Sequence, residues 1–261
     1  MIEFSEIIKS LIENWGIVLL FFSIAILYSS VGFGGGSSYL AILALTGLAF
    51  TQIRATALLC NIVVVTSGTL IYAKHGLYNW RKVIPLVSFS IPLAFIGGYL
   101  KISQSFFFIL LGITLIIAAL FMWMSKYVSE KSSGEFYQSS LTKDASYGGI
   151  IGFISGMVGI GGGIFLAPLL HLTNWDTPKK IAATASLFIL VNSIAGLLGQ
   201  MQHNKFTIEW DLTLVLLISV FIGGQIGSRL SAKTISPFLL KKITAVLIAI
   251  VGLRILWKYV I

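Results

Sequence analysis

Long apolar stretches, cut by short charged or glycine-rich breaks, run through this chain from end to end. Residues 15–31, 55–73, 83–100 and 106–124 carry no charge apart from the segment edges, and 147–158, 181–201, 212–226 and 238–257 repeat the theme. Several approach or reach the ~20 residues that a helix needs to cross a bilayer. Two shorter apolar pieces, 37–48 and 164–173, stand between them. A dozen helical residues cover only ~18 Å, against a hydrocarbon core of ~30 Å, so these pieces either half-span the membrane or shelter among neighbours. Ile2, Phe4, Ile7, Ile8, Leu11 and Ile12 recur at helical spacing, an amphipathic lead-in to the first membrane helix. The pattern predicts an all-α polytopic membrane protein of about eight to ten membrane segments.

A glycine string precedes each short piece: Gly32-Phe33-Gly34-Gly35-Gly36 and, 127 positions later, Gly159-Ile160-Gly161-Gly162-Gly163. Glycine inside a helix costs roughly 1 kcal/mol relative to alanine, so each triplet marks an interruption. The surrounding sequence matches as well: Ala55-Thr56-Ala57 with Ala183-Thr184-Ala185, Gly68 with Gly196, Gly97 with Gly227, Thr114 with Thr244. An offset drifting only from 127 to 130 describes one duplicated unit. The expected organisation is a first membrane repeat over 1–125, a polar linker over 126–143 and a second membrane repeat over 144–261. Paired interruptions at matching places in two halves are a mark of transporters.

Loop charges set the relative orientation. If each half crosses an odd number of times, Lys74, Arg81, Lys82, Lys126, Lys131, Lys143, Lys179, Lys180, Arg229 and Lys233 share one side. Lys9, Arg54, Lys101, Lys205, Arg254 and Lys258 then share the other. With even halves the sides nearly balance. The positive-inside rule therefore favours inverted repeats with both termini outside the cytoplasm.

Composition narrows the function. With 57% hydrophobic and 10% charged residues among 261, and a mean hydropathy of +0.95, little chain is left for a soluble domain. The net charge of +9 would point to nucleic acid in a soluble protein, but here the basic residues sit at segment ends and speak of topology, so no nucleic-acid partner is expected. Cys60 is the only cysteine, which excludes an internal disulfide and a thiolate metal cluster. His75, His171 and His203 form no i, i+4 pair. No metal-protease, Walker or nucleophile-elbow pattern is present, so neither an enzyme nor an ATP-driven pump is expected, and no cofactor or metal. All nine acidic residues lie at termini, loops or segment edges, whereas a cation carrier normally keeps a carboxylate at membrane depth. The substrate is thus expected to be anionic or neutral.

The interruptions favour the anion. A helix restarting after the glycines bares backbone N–H groups with roughly half a positive charge, and glycine lets a ligand approach closely. Gly34, Gly35 and Gly36, with Gly161, Gly162 and Gly163, would face each other near the midplane and together suit a monoanion. Further donors are needed against desolvation; Ser37, Ser38, Thr56, Asn61, Thr184 and Asn192 are the candidates. Gly32/Gly36 and Gly159/Gly163 also read as small-xxx-small packing pairs, and Gly97, Gly98, Gly223, Gly224 and Gly227 are expected to pack only. Asn61 and Asn192 are equally readable as interhelical hydrogen bonds.

The two glycine strings, with Gly156-Met157-Val158, Pro168, Ala55-Thr56 and Ala183-Thr184, resemble the TauE/SafE family of membrane permeases over nearly the whole chain. That resemblance implies secondary transport, often export, of sulfite, organosulfonates or related sulfur-containing anions across a bacterial or archaeal cytoplasmic membrane, with the lipid bilayer around it and room for a homo-oligomer. Ser37-Ser38 follows the first triplet and Ile164-Phe165 the second, so the serine side is expected to hold the oxyanion head and Ile164 a carbon-bearing tail or gate. A passive anion channel and a non-transporting membrane assembly protein are the competing readings.

Overall fold

A computed structural model describes residues 4–30, 33–129, 140–203, 206–229 and 237–260. Among these residues the chain forms eleven helices and no strand. Backbone that meets lipid must satisfy its own hydrogen bonds, and helices do so within one segment. They are α1 Phe4–Glu13, α2 Trp15–Ser29, α3 Gly36–Leu43, α4 Phe50–Lys74, α5 Trp80–Tyr99, α6 Gln104–Ser129, α7 Leu141–Val158, α8 Gly163–Leu172, α9 Pro178–Met201, α10 Trp210–Arg229 and α11 Pro237–Val260. Gly32, most of the polar linker, Lys205 and Lys233 lie outside the described residues.

By length and apolarity, α4, α5, α6, α9 and α10 can each cross a membrane, and the α1–α2 pair, bent by 82°, makes a sixth candidate. That count, by length and apolarity over the described residues, leaves out the short α3 and α8, α7, which opens with Lys143 and Asp144, and α11. Leu19, Leu70, Ile84, Phe89, Leu120, Ile218 and Leu253 point outwards on the helices that would face lipid.

Helices that match in sequence pack against each other at the centre. Leu58 of α4 lies by Gly196 of α9, while Thr69 of α4 bonds Ser186 of α9 (2.9 Å), so the two run antiparallel. Likewise Gly112 of α6 meets Leu256 of α11 and Phe108 stacks on Tyr259, again antiparallel. Exchanging the helices of one half for those of the other returns the same principal contacts: α5 on α7 becomes α10 on α2, α5 on α9 becomes α10 on α4, and α6 on α8 becomes α11 on α3. Of the glycines expected to pack, a Cβ on Gly97 would lie 2.3 Å from the Phe153 carbonyl and one on Gly227 2.1 Å from the Ile26 carbonyl, equivalent places in the two matching contacts. Gly98 and Gly223 approach backbone as closely; Gly224 has only ordinary contacts.

After α8 the chain returns to where α7 began. The Trp175 indole Nε1 donates to the Asp144 carboxylate at 3.1 Å, both side chains fully buried, and Lys82 bonds the Trp175 carbonyl. The α7–α8 pair is therefore a hairpin that turns at its glycine break. Asp144 sits at a segment edge as the sequence indicates, yet it is enclosed.

Candidate functional site

Each glycine triplet ends one helix path and begins another by the same backbone device. Gly35 (φ 82°) and Gly162 (φ 81°) are the N-caps of α3 and α8, both left-handed, and the helices start at Gly36 and Gly163. Residues with side chains are disfavoured there. Gly35 and Gly162 carbonyls each accept two amides, those of Ser38 and Tyr39 and those of Phe165 and Leu166. No acceptor is found among the described residues for the amides of Gly34 to Ser37 or of Gly161 to Ile164. Helix starts in this condition carry partial positive charge.

The two breaks meet. Asn61, wholly buried on α4, donates its Nδ2 to the Ile160 carbonyl at 2.9 Å. A Cβ on Gly36 would lie 2.4 Å from both that carbonyl and Asn61 Nδ2, one on Gly34 2.7 Å from Asn61 Oδ1, and one on Gly161 2.8 Å from Asn61 Nδ2. The glycines are what allow both strings to close around one asparagine. On α9, Ile189 occupies the matching place against Gly163, and Ser193 Oγ lies 2.9 Å from a Cβ on Gly161. Among the described residues Asn61 Oδ1 and Ser193 Oγ have no hydrogen-bond partner, an unusual state for buried polar atoms.

The other sequence candidates lie apart from this contact or are engaged elsewhere. Ser38 Oγ pairs with the Tyr28 hydroxyl at 3.0 Å, and Thr56 pairs with Thr213 of α10 at 2.9 Å. Thr184 bonds the Lys180 carbonyl of its own helix. Asn192 donates to Ser90 Oγ of α5 and to the Phe188 carbonyl. Ser37 is buried in the first turn of α3, and Ile164 is half-buried in the first turn of α8.

Arg54 corrects one expectation. It is not a loop charge at the surface: α4 starts at Phe50, so Arg54 lies inside the helix, 2% exposed. Its Nη2 donates to the Gly156 carbonyl at 3.1 Å, its stem packs on Gly159, and its Nε has no partner among the described residues. The signal in the sequence was a lone arginine followed by nineteen residues without charge up to Lys74, directly at a predicted span edge. Ile189 and Ser193 were legible only through the repeat, as counterparts of Asn61 and Val65 at an offset of 128.

With that geometry in hand, similarity to known proteins is specific. Residues 17–255 match the family model described as Sulfite exporter TauE/SafE. A probable membrane transporter protein of Sinorhizobium fredii is 33% identical over 255 residues, covering 94% of this chain and 99% of that protein. A probable membrane transporter protein of Methanocaldococcus jannaschii is 25% identical over 92% of this chain and 94% of its own length. One from Bacillus subtilis is 26% identical over 78% of this chain and 80% of its own. No solved structure matches the chain.

Proposed function

The chain belongs to the sulfite exporter TauE/SafE family, and on that premise we propose that it exports small sulfur-containing oxyanions, such as sulfite or organosulfonates, by secondary transport across the cytoplasmic membrane. It is a multi-pass membrane transporter. The observation that carries the finer reading is the meeting of the two glycine strings around Asn61 in the buried centre, Gly34 and Gly36 on one side and Ile160 and Gly161 on the other, with bared helix starts at Gly36 and, two residues past that contact, at Gly163. Together they supply about one elementary positive charge, matched to a monoanion. The antiparallel packing of the sequence-equivalent pairs α4/α9 and α6/α11 supports two halves, 1–125 and 144–261, of inverted orientation. Such an arrangement lets the same seat open to either side in turn.

The conformation is a closed one. Gly36 packs so closely on the Ile160 carbonyl and Asn61 that a Cβ there would lie 2.4 Å from each, and this close contact of the two strings favours a carrier with an occluded state over a passive channel. Opening then requires α3 or α8 to part from α4. A thermal-shift screen of purified protein against sulfite, thiosulfate, sulfate, sulfoacetate and taurine tests the reading. It expects sulfite or a sulfonate to stabilise the protein in a saturable way; no stabilisation by any of them contradicts it.

A further inference from the structure

Arg54 is a buried cation that no carboxylate answers. Among the described residues no ion pair reaches it, and Lys9–Glu13 and Lys180–Asp176 lie elsewhere. What Arg54 has instead is a carbonyl released by the second break. The Gly159 and Ile160 amides both turn back to the Ser155 carbonyl (2.7 and 3.2 Å), which leaves the Gly156 carbonyl to the guanidinium. The end of a helix offers such a cation about half a negative charge. A guanidinium keeps its full charge at neutral pH and brings five donors in a planar fork. Half a charge and one hydrogen bond leave it under-compensated, with Nε unpartnered among the described residues at 2% exposure. A buried charge in that state is costly unless a partner arrives.

We propose that Arg54 is the counter-charge of the transported anion: the Gly156 carbonyl holds the guanidinium when the site is empty, and the oxyanion takes over its free N–H groups when the site is filled. The assignment rests on the anion-transport reading above and adds its missing charge. The position fits. The Arg54 stem lies 3.2–3.4 Å from where a Gly159 Cβ would be, at the entry to the glycine string that carries the bared amides of 161–164. Planar, bidentate recognition of an oxyanion is what an arginine does better than a lysine. Arrival of the anion would release the end of α7 from α4, so binding and the first movement of the α7–α8 hairpin share one side chain.

The test compares purified wild type, Arg54→Met and Arg54→Lys by melting temperature across a sodium sulfite titration. Wild type is expected to be stabilised. Arg54→Met loses both an under-compensated buried charge and the donor to the Gly156 carbonyl, opposed effects, so it is expected to melt close to the wild-type temperature without anion and to need at least tenfold more sulfite for any shift. Arg54→Lys keeps charge but loses the fork, and its midpoint is expected to rise about tenfold. If Arg54→Met responds to sulfite at the wild-type concentration, the assignment is overturned while the transport reading stands. A marked fall in its anion-free melting temperature, or failure to fold, assigns the arginine to holding α7 and overturns it too. An unchanged midpoint in Arg54→Lys has the same force. If wild type itself answers to none of sulfite, thiosulfate or sulfoacetate, both readings fall together.

Discussion

The side-chain amide of Asn61 donates to the Ile160 carbonyl at 2.9 Å, joining the middle of α4 to a glycine break 99 residues further on. The glycines that flank it, Gly34, Gly36 and Gly161, leave no room for a side chain. Asn61→Ala would leave that carbonyl buried without a donor, a cost of about 1–3 kcal/mol. The variant is expected to melt several degrees lower and to respond weakly to sulfite. A variant with wild-type melting and wild-type response would separate Asn61 from the site.

Gly36 and Gly16 make a paired test of the close approach. A Cβ on Gly36 would meet the Ile160 carbonyl at 2.4 Å, whereas one on Gly16 would meet nothing within 4 Å. Gly36→Ala is expected to force the strings apart and abolish transport of labelled sulfite in proteoliposomes. Gly16→Ala, in α2, is expected to transport normally and to gain up to about 1 kcal/mol from helix propensity. Equal behaviour of the two would contradict the packing at the breaks.

Trp175 and Asp144 close the α7–α8 hairpin at its open end. Trp175→Phe removes the N–H donor and keeps most of the ring, so a loss of about 1–3 kcal/mol is expected, seen as a lower melting temperature. Asp144→Asn is expected to weaken the same contact, and the double variant to lose less than the sum of the two. Additive losses would place the two side chains in independent roles.

Ser38 and Tyr28 share one buried hydroxyl pair at 3.0 Å. Ser38→Ala and Tyr28→Phe are expected to lower stability by about 0.5–1.5 kcal/mol each, with sulfite response largely kept. Ser37, in the same first turn, is expected to affect sulfite response more than stability when changed to alanine. The reverse pattern, read from melting curves with and without sulfite, would give Ser38 the ligand-binding role.

The fold class was legible because lipid imposes a simple rule: apolar runs of sufficient length become helices, and consecutive glycines break them. The two breaks were readable as the glycine triplets, but the helices restart on the third glycine, Gly36 and Gly163, because the αL caps fall on Gly35 and Gly162, and α3 ends at Leu43, short of the expected 48. Side-chain partners were not readable. From depth alone Thr56 was a candidate ligand donor and Asn192 stood equally as ligand contact or interhelical hydrogen bond; in the fold they join α4 to α10 and α9 to α5. Which helix a polar residue faces depends on helix rotation, and α4 and α9 are apolar on nearly all sides. Arg54 was misread for a related reason: a single arginine near a span edge looks like an orientation signal until the helix start at Phe50 is known.

Counterflow of radiolabelled sulfite into proteoliposomes tests the central claim most directly. Vesicles preloaded with unlabelled sulfite should accumulate label transiently and saturably, and Gly36→Ala vesicles should not. Uptake that grows linearly with sulfite and ignores the internal pool, or no uptake at all, would contradict an occluded carrier built on the two glycine breaks.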